Sequence, residues 1–192
     1  CDEGWVTTGY QQMFSDPLSV KYLFLYYNTL LVGGLANLLC GGLGIWGFRV
    51  LTAITLTCVG YGTFCLLKET VNRWAILVGF FLAMLCCDFG IMVFHHNYLS
   101  ALFAVFIVYF LYIGIINNDK RSFLFAGFLY GLDIFVRLPN ATIGLLILAV
   151  AFVGGQGAVR GKQILKMFLC AIVGFLVAVI VEFLMMKALG HE

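Results

Sequence analysis

Asp2 and Glu3 stand side by side in "CDEGWVTTGYQQMF" (1–14), at the head of an amphipathic stretch in a chain with only 10% charged residues. Asp88, Asp133 and Glu182 interrupt long apolar runs, and Arg49 and Arg137 stand near the ends of others. Ionisable side chains among apolar helices are costly and tend to mark function. Two readings of the embedded charges are open. Asp133 and Arg137 are spaced i, i+4 and could pair on one helix face, while Glu182 could meet a neighbouring polar group. Alternatively, Arg49, Asp88, Asp133, Arg137 and Glu182 line one polar cavity built by several helices. His95 and His96 form a solvated turn in the plain reading and carry a weak signal for metal binding in the other; no metal site is assigned.

The elements that must carry these residues follow from composition. The 192 residues are 63% hydrophobic, with a mean hydropathy of +1.05. Soluble domains are about 45–50% apolar and about 25% charged, so the expected class is a membrane protein. The 22 glycines suit transmembrane helices that approach closely. The net charge of +2 is small, and the absence of a basic stripe excludes nucleic acid as a partner. Of the seven cysteines, six (Cys40, Cys58, Cys65, Cys86, Cys87 and Cys170) lie inside apolar runs without ligand spacing. They read as buried thiols that pack as small hydrophobes. The start at Cys1 rather than methionine suggests a piece of a longer chain; a lipoprotein cysteine is the alternative.

A membrane-crossing helix needs roughly 20 apolar residues. Spans are expected near 47–67, 74–94, 97–116, 121–137, 139–156 and 167–187, with Pro139 dividing the 121–156 stretch into two short helices. Lys68 and Arg73, then Lys120 and Arg121, then Arg160, Lys162 and Lys166 occupy alternate connections. Basic residues favour the cytoplasmic side, so these three connections are expected inside, with 1–16, 95–97 and 137–140 outside. Asp88, Asp133 and Glu182 then fall in the outer halves of their helices and both arginines near outer ends, so the cavity would open outward. Residues 17–41 could span or lie in the outer interface. Asn140 begins an Asn-Ala-Thr sequon, read as chance because its turn hugs the membrane.

With an outward acidic head and an arginine-led span, the pattern resembles the GT-C superfamily of polytopic glycosyltransferases, particularly the protein O-mannosyltransferase and aminoarabinose-transferase type. "DEGWVTTGY" matches that family's Asp-Glu loop, and "GIWGFRVLTAITLTCVGYGTFCLLK" (44–68) its arginine-led span. "FAGFLYGLDIFVRLPNATIGLLILAV" (125–150) is similar to its glycine-rich helix, basic turn and following helix. The chain departs from the family in carrying Arg137 where many relatives have lysine, and in reducing a proline-rich segment to Pro17. The resemblance implies an all-α, polytopic transmembrane bundle of about six spans plus outer-face interfacial helices. It would be a single transmembrane domain over 1–192, with the outward loop and interfacial helices in 1–41 and the bundle in 42–192. The chain would lack the family's first span, and 17–41 would not cross.

The resemblance also implies a chemistry. Such enzymes move a sugar from a polyprenyl-phosphate donor to an acceptor outside the cytoplasm. Asp2 would act as general base, with Glu3 orienting the acceptor or holding Asp2. Arg49 and Arg137 would stabilise the departing lipid phosphate, with Asp88, His95 and His96 completing the substrate-binding set. The expected location is a bacterial inner membrane, with the active site facing outward and membrane lipids as neighbours. No cofactor is assigned. A transporter or lipid flippase is the competing reading, although no internal repeat of the kind many transporters carry is found; an assembly protein with merely paired charges is the third.

Overall fold

In lipid the backbone must satisfy its hydrogen bonds within each segment, and helices do so. The computed structural model describes residues 2–21, 23–86, 93–146 and 161–191, and every regular element among them is helical. In chain order these are α1 (Asp2–Gln12), α2 (Pro17–Val20), α3 (Tyr27–Cys40), α4 (Ile45–Leu67), α5 (Arg73–Leu85), α6 (His96–Asn117), α7 (Lys120–Ile134) and α8 (Gly161–Leu189). Tighter 3-10 turns occupy Phe24–Tyr26, Gly41–Leu43 and Leu138–Gly144.

Among the described residues three helices are long and apolar enough to cross a membrane: Ile45–Leu67, His96–Asn117 and Lys162–Leu189. They correspond to the spans expected at 47–67, 97–116 and 167–187. The other three expected spans do not reach that length among the described residues. α5 is described for 13 residues, and residues 87–92, including Asp88, lie outside the described part. α7 has 15 residues, a rise of about 22 Å against a hydrocarbon core of roughly 30 Å. It stops at Ile134, short of Pro139, and the chain continues as the 3-10 turn; residues 147–160 are outside the described part. In the 17–41 stretch, α3 has 14 residues, about 21 Å.

The 1–16 stretch is not a loop. Asp2–Gln12 is helical because Val6, Tyr10 and Met13, at helical spacing, find a surface to cover. The Tyr10 ring lies against Gly33 and the Met13 side chain against Gly34, so two adjacent glycines make the seat for α1 on α3. The Tyr10 hydroxyl donates to the Phe94 carbonyl at 2.6 Å, and burial pushes its phenol above the ordinary range. Val6, Tyr10, Met13, Tyr27, Phe48 and Phe94 share one core.

A second core joins α6, α7 and α8 through Ile107, Leu111, Phe123, Ala126, Met167 and Ala171. Gly114 near the end of α6 faces Phe123 near the start of α7, so these helices are antiparallel. Asn118 turns the chain between them at φ 50°, a left-handed conformation that asparagine tolerates. Asp119 then caps α7, accepting from the Arg121 and Ser122 amides at 3.1 and 3.2 Å. The Ser122 hydroxyl foremost, with these amides, holds the Asp119 carboxyl below its usual range.

α7 and α8 run parallel with their backbones in contact. A Cβ at Gly127 would collide with the Ala171 carbonyl, and one at Gly174 with the Leu124 carbonyl. Gly131 faces Ala178 and Phe175. Gly62 of α4 meets Val105 of α6, while Phe48 shares a core with Phe94 and Leu99, so the starts of α4 and α6 lie at one end. These directions gather Lys68 and Arg73, Lys120 and Arg121, and Lys162 and Lys166 at the opposite end. Gly127→Ala or Gly174→Ala should therefore force the helices apart and cost about 1–3 kcal/mol. Gly79, whose added Cβ meets nothing within 4 Å, is the control. Its change to Ala should be neutral or favourable, given the helix propensity of alanine. Thermal unfolding in detergent separates the two outcomes.

Candidate polar site at one end of the bundle

The helix directions bring the start of α3, the start of α6 and the ends of α7 and α8 to one level, where buried polar groups meet. Asn28, in the first turn of α3, is the bridge. Its amide donates to the Glu182 carboxylate at 2.6 Å and to the Leu132 carbonyl at 2.7 Å. Its backbone N–H donates to the Phe135 carbonyl at 3.1 Å. One residue thereby ties α3 to both α7 and α8.

Asp133 uses a second asparagine. The Asn140 amide donates to Asp133 Oδ1 at 2.8 Å and to Ser100 Oγ at 2.6 Å, linking the turn after α7 to α6. Asp133 and Glu182 are both 0% exposed. The second oxygen of each carboxyl is buried without a hydrogen-bond partner among the described residues.

The i, i+4 pairing of Asp133 with Arg137 does not form. The helix ends at Ile134, and Arg137 is extended at φ −163°, ψ 125°, so the two side chains no longer stack along one face. The Arg137 guanidinium donates instead to Asn97 Oδ1 at 3.1 Å. Lys68 and Glu69 form an ion pair at 4.0 Å on the surface, at the other end of the bundle.

A row of rings crosses the same end. Trp5 meets Tyr26 edge to face at 5.9 Å, and Tyr26 lies 5.0 Å from His96. His96 lies 5.2 Å from His95, which is 4.4 Å from Tyr98. Arg137 is near enough to His96 for their charges to interact. Glu3 is half-buried in the first turn of α1, two residues from Trp5. Of the candidates read from sequence, Glu3, His95, His96 and Arg137 thus connect to one end of the bundle. Arg49 takes a different course, with its guanidinium 5.3 Å from the centre of the Trp46 ring. The Asp2 side chain and Asp88 lie outside the described residues. Among the described residues, no group of three or more His, Cys, Asp or Glu gathers to hold a metal ion.

Beside the acidic head, α1 and α2 frame an open groove of about 360 Å³ lined by Gly4, Trp5, Thr8, Gly9, Gln12, Ser19 and Leu23. At the far end of the chain His191 is buried against α1 and α3. Its Nε2 is 3.0 Å from the Met13 carbonyl and its Nδ1 3.3 Å from the Tyr27 hydroxyl. A carbonyl can only accept, so Nε2 carries a hydrogen and donates to Met13.

Sequence reasoning passed over Asn28, Asn97, Ser100 and His191, and took Asn140 only as a sequon. The available signal was Asn28 itself, a lone amide in the apolar "FLYYNTLLV". No family model matches the chain, and neither a curated protein nor a solved structure matches it.

Because asparagines, not arginine, hold the two buried acids, substitutions should separate them. Asn28→Ala and Asn140→Ala should each lower stability by about 1–3 kcal/mol. Glu182→Gln should keep it, since an amide oxygen accepts the same bond. Arg137→Gln should leave the unfolding temperature nearly unchanged; a loss as large as that of Asn140→Ala would restore the Asp133–Arg137 pair.

Proposed function

We propose that the protein is a membrane glycosyltransferase of the GT-C type, moving a sugar from a polyprenyl-phosphate donor to an acceptor on the non-cytoplasmic side. The observation that carries this reading is the row Trp5–Tyr26–His96. It ties the Asp-Glu head of α1 to the end of the bundle where Arg137 lies. An acid and a fixed cation at one end of an apolar bundle suit a reaction that takes up a proton and releases a lipid phosphate.

In this reading the acceptor hydroxyl attacks the anomeric carbon of the donor sugar, and Asp2 takes its proton. The bond from that carbon to the phosphate oxygen breaks, and polyprenyl phosphate leaves with its charge matched by the Arg137 guanidinium. Glu3 orients the acceptor, which enters along the α1–α2 groove. His95, His96 and Asp88 complete the donor site. α5, α7 and the segment following Leu138 bring the spans to about six. The basic connections then face the cytoplasm, and the polar end faces out from a bacterial inner membrane.

The test is transfer of a radiolabelled sugar from a polyprenyl-phosphate donor by the protein in membrane vesicles. Asp2→Asn should spare donor binding and slow transfer by about 10²–10⁴-fold, the range for loss of a general base. Arg137→Gln should fold and lose donor binding. Full transfer by a well-folded Asp2→Asn protein would refute the assignment.

A further inference from the structure

Among the described residues, Arg49 is a charged side chain with no protein counter-ion. Its Nε is buried with no hydrogen-bond partner among the described residues, and the Lys68–Glu69 ion pair lies elsewhere. Its guanidinium lies over the face of Trp46, itself 66% exposed. Both residues follow a tight elbow between α3 and α4. There Gly44 adopts φ 55°, and a Cβ at Gly47 would stand 3.2 Å from the Cys40 carbonyl.

We infer that this elbow binds the phosphate headgroup of an anionic membrane phospholipid, held by Arg49 beside Trp46. The inference does not depend on the glycosyltransferase reading and separates Arg49 from the donor site assigned to Arg137. Depth supports it first. The 19-residue step from Arg49 to Lys68 along α4 rises about 28 Å, close to the hydrocarbon thickness of roughly 30 Å. With Lys68 at one headgroup layer, Arg49 reaches the other, where tryptophan also prefers to sit.

The surroundings complete the ligand. Leu39, Leu43, Val50 and Ile54 are exposed around the elbow and down the outer face of α4, offering acyl chains an apolar track below the headgroup. A guanidinium matches phosphate with a planar fork of donors, and stacking on Trp46 leaves its edge free for them. With no carboxylate paired to Arg49 among the described residues, the local charge favours a headgroup of net negative charge over a zwitterionic one.

The test extracts the full chain from vesicles of equimolar phosphatidylglycerol and phosphatidylcholine and weighs it by native mass spectrometry. The unaltered protein should retain phosphatidylglycerol preferentially. Arg49→Gln should cut that retention about fivefold without changing phosphatidylcholine, and Arg137→Gln should leave it intact. An undiminished preference in Arg49→Gln, or an equal loss in Arg137→Gln, overturns the inference. So does displacement of the lipid by inorganic phosphate, which would make the elbow a site for soluble anions. A photoactivatable phosphatidylglycerol gives a readout on the unaltered chain: labelling should fall within residues 39–54, and labelling confined elsewhere overturns the proposal.

Discussion

The contact between the α7 and α8 backbones sets the level of everything polar in this protein. Gly127 and Gly174 present no side chain where the opposing carbonyls of Ala171 and Leu124 pass, so the helices meet at backbone distance and their register is fixed by shape. In lipid, association of helices has no hydrophobic driving force of its own and relies on such close packing. The register has a direct consequence. Gly131 faces Ala178, so Asp133, two residues on, and Glu182, four residues on, emerge at the same end of the pair. A single amide, Asn28, then reaches both the carbonyl of Leu132 and the carboxyl of Glu182.

Both acids are wholly buried, yet neither draws on a cation. Burying a polar group is tolerated when it is hydrogen-bonded and costly when it is not. Here each carboxyl receives one strong donor from an asparagine on a neighbouring segment. The arrangement leaves Arg137 with a neutral partner, Asn97, and its full positive charge at the end of the bundle. A guanidinium neutralised by Asp133 would have had less to offer an anionic ligand. The break in the helix after Ile134 is what separates them, since it carries Arg137 out of the helical repeat.

Much of the architecture was legible because long apolar runs with few charges have one solution in a membrane. The boundaries 47–67, 97–116 and 167–187 lie within the three described helices long enough to cross. The shared level of Asp133, Arg137 and Glu182 followed from helix direction alone. What the sequence hid was specific side-chain geometry. The i, i+4 spacing of Asp133 and Arg137 implies a pair only if the helix continues, and whether it does is decided by the turn into Leu138–Gly144. The 1–16 stretch reads as an outward loop, and only the helical spacing of Val6, Tyr10 and Met13 hints at the helix that forms. Its helicity depends on Gly33 and Gly34, distant in sequence, leaving room for Tyr10 and Met13. Arg49 and Arg137 share a depth near outer helix ends in the sequence; their partners, Trp46 and Asn97, distinguish them.

The acidic head is therefore positioned by a relay of packing contacts and not by a flexible loop. The α7–α8 seam fixes where Leu132 and Glu182 stand, and Asn28 pins the first turn of α3 to both. α3 then presents Gly33 and Gly34 as the seat for α1, with Tyr10 bonded to the Phe94 carbonyl and Met13 to His191. From that seat the first turn of α1 reaches Tyr26 through Trp5, and Tyr26 reaches His96. Each step uses a group with no freedom to substitute: a glycine against a ring, an amide with both hydrogens engaged, a carbonyl that can only accept. A reaction needing an acid and a cation at fixed separation requires this kind of rigidity. The glycines that give the bundle its close packing are thus also what sets the position of Glu3 relative to Arg137.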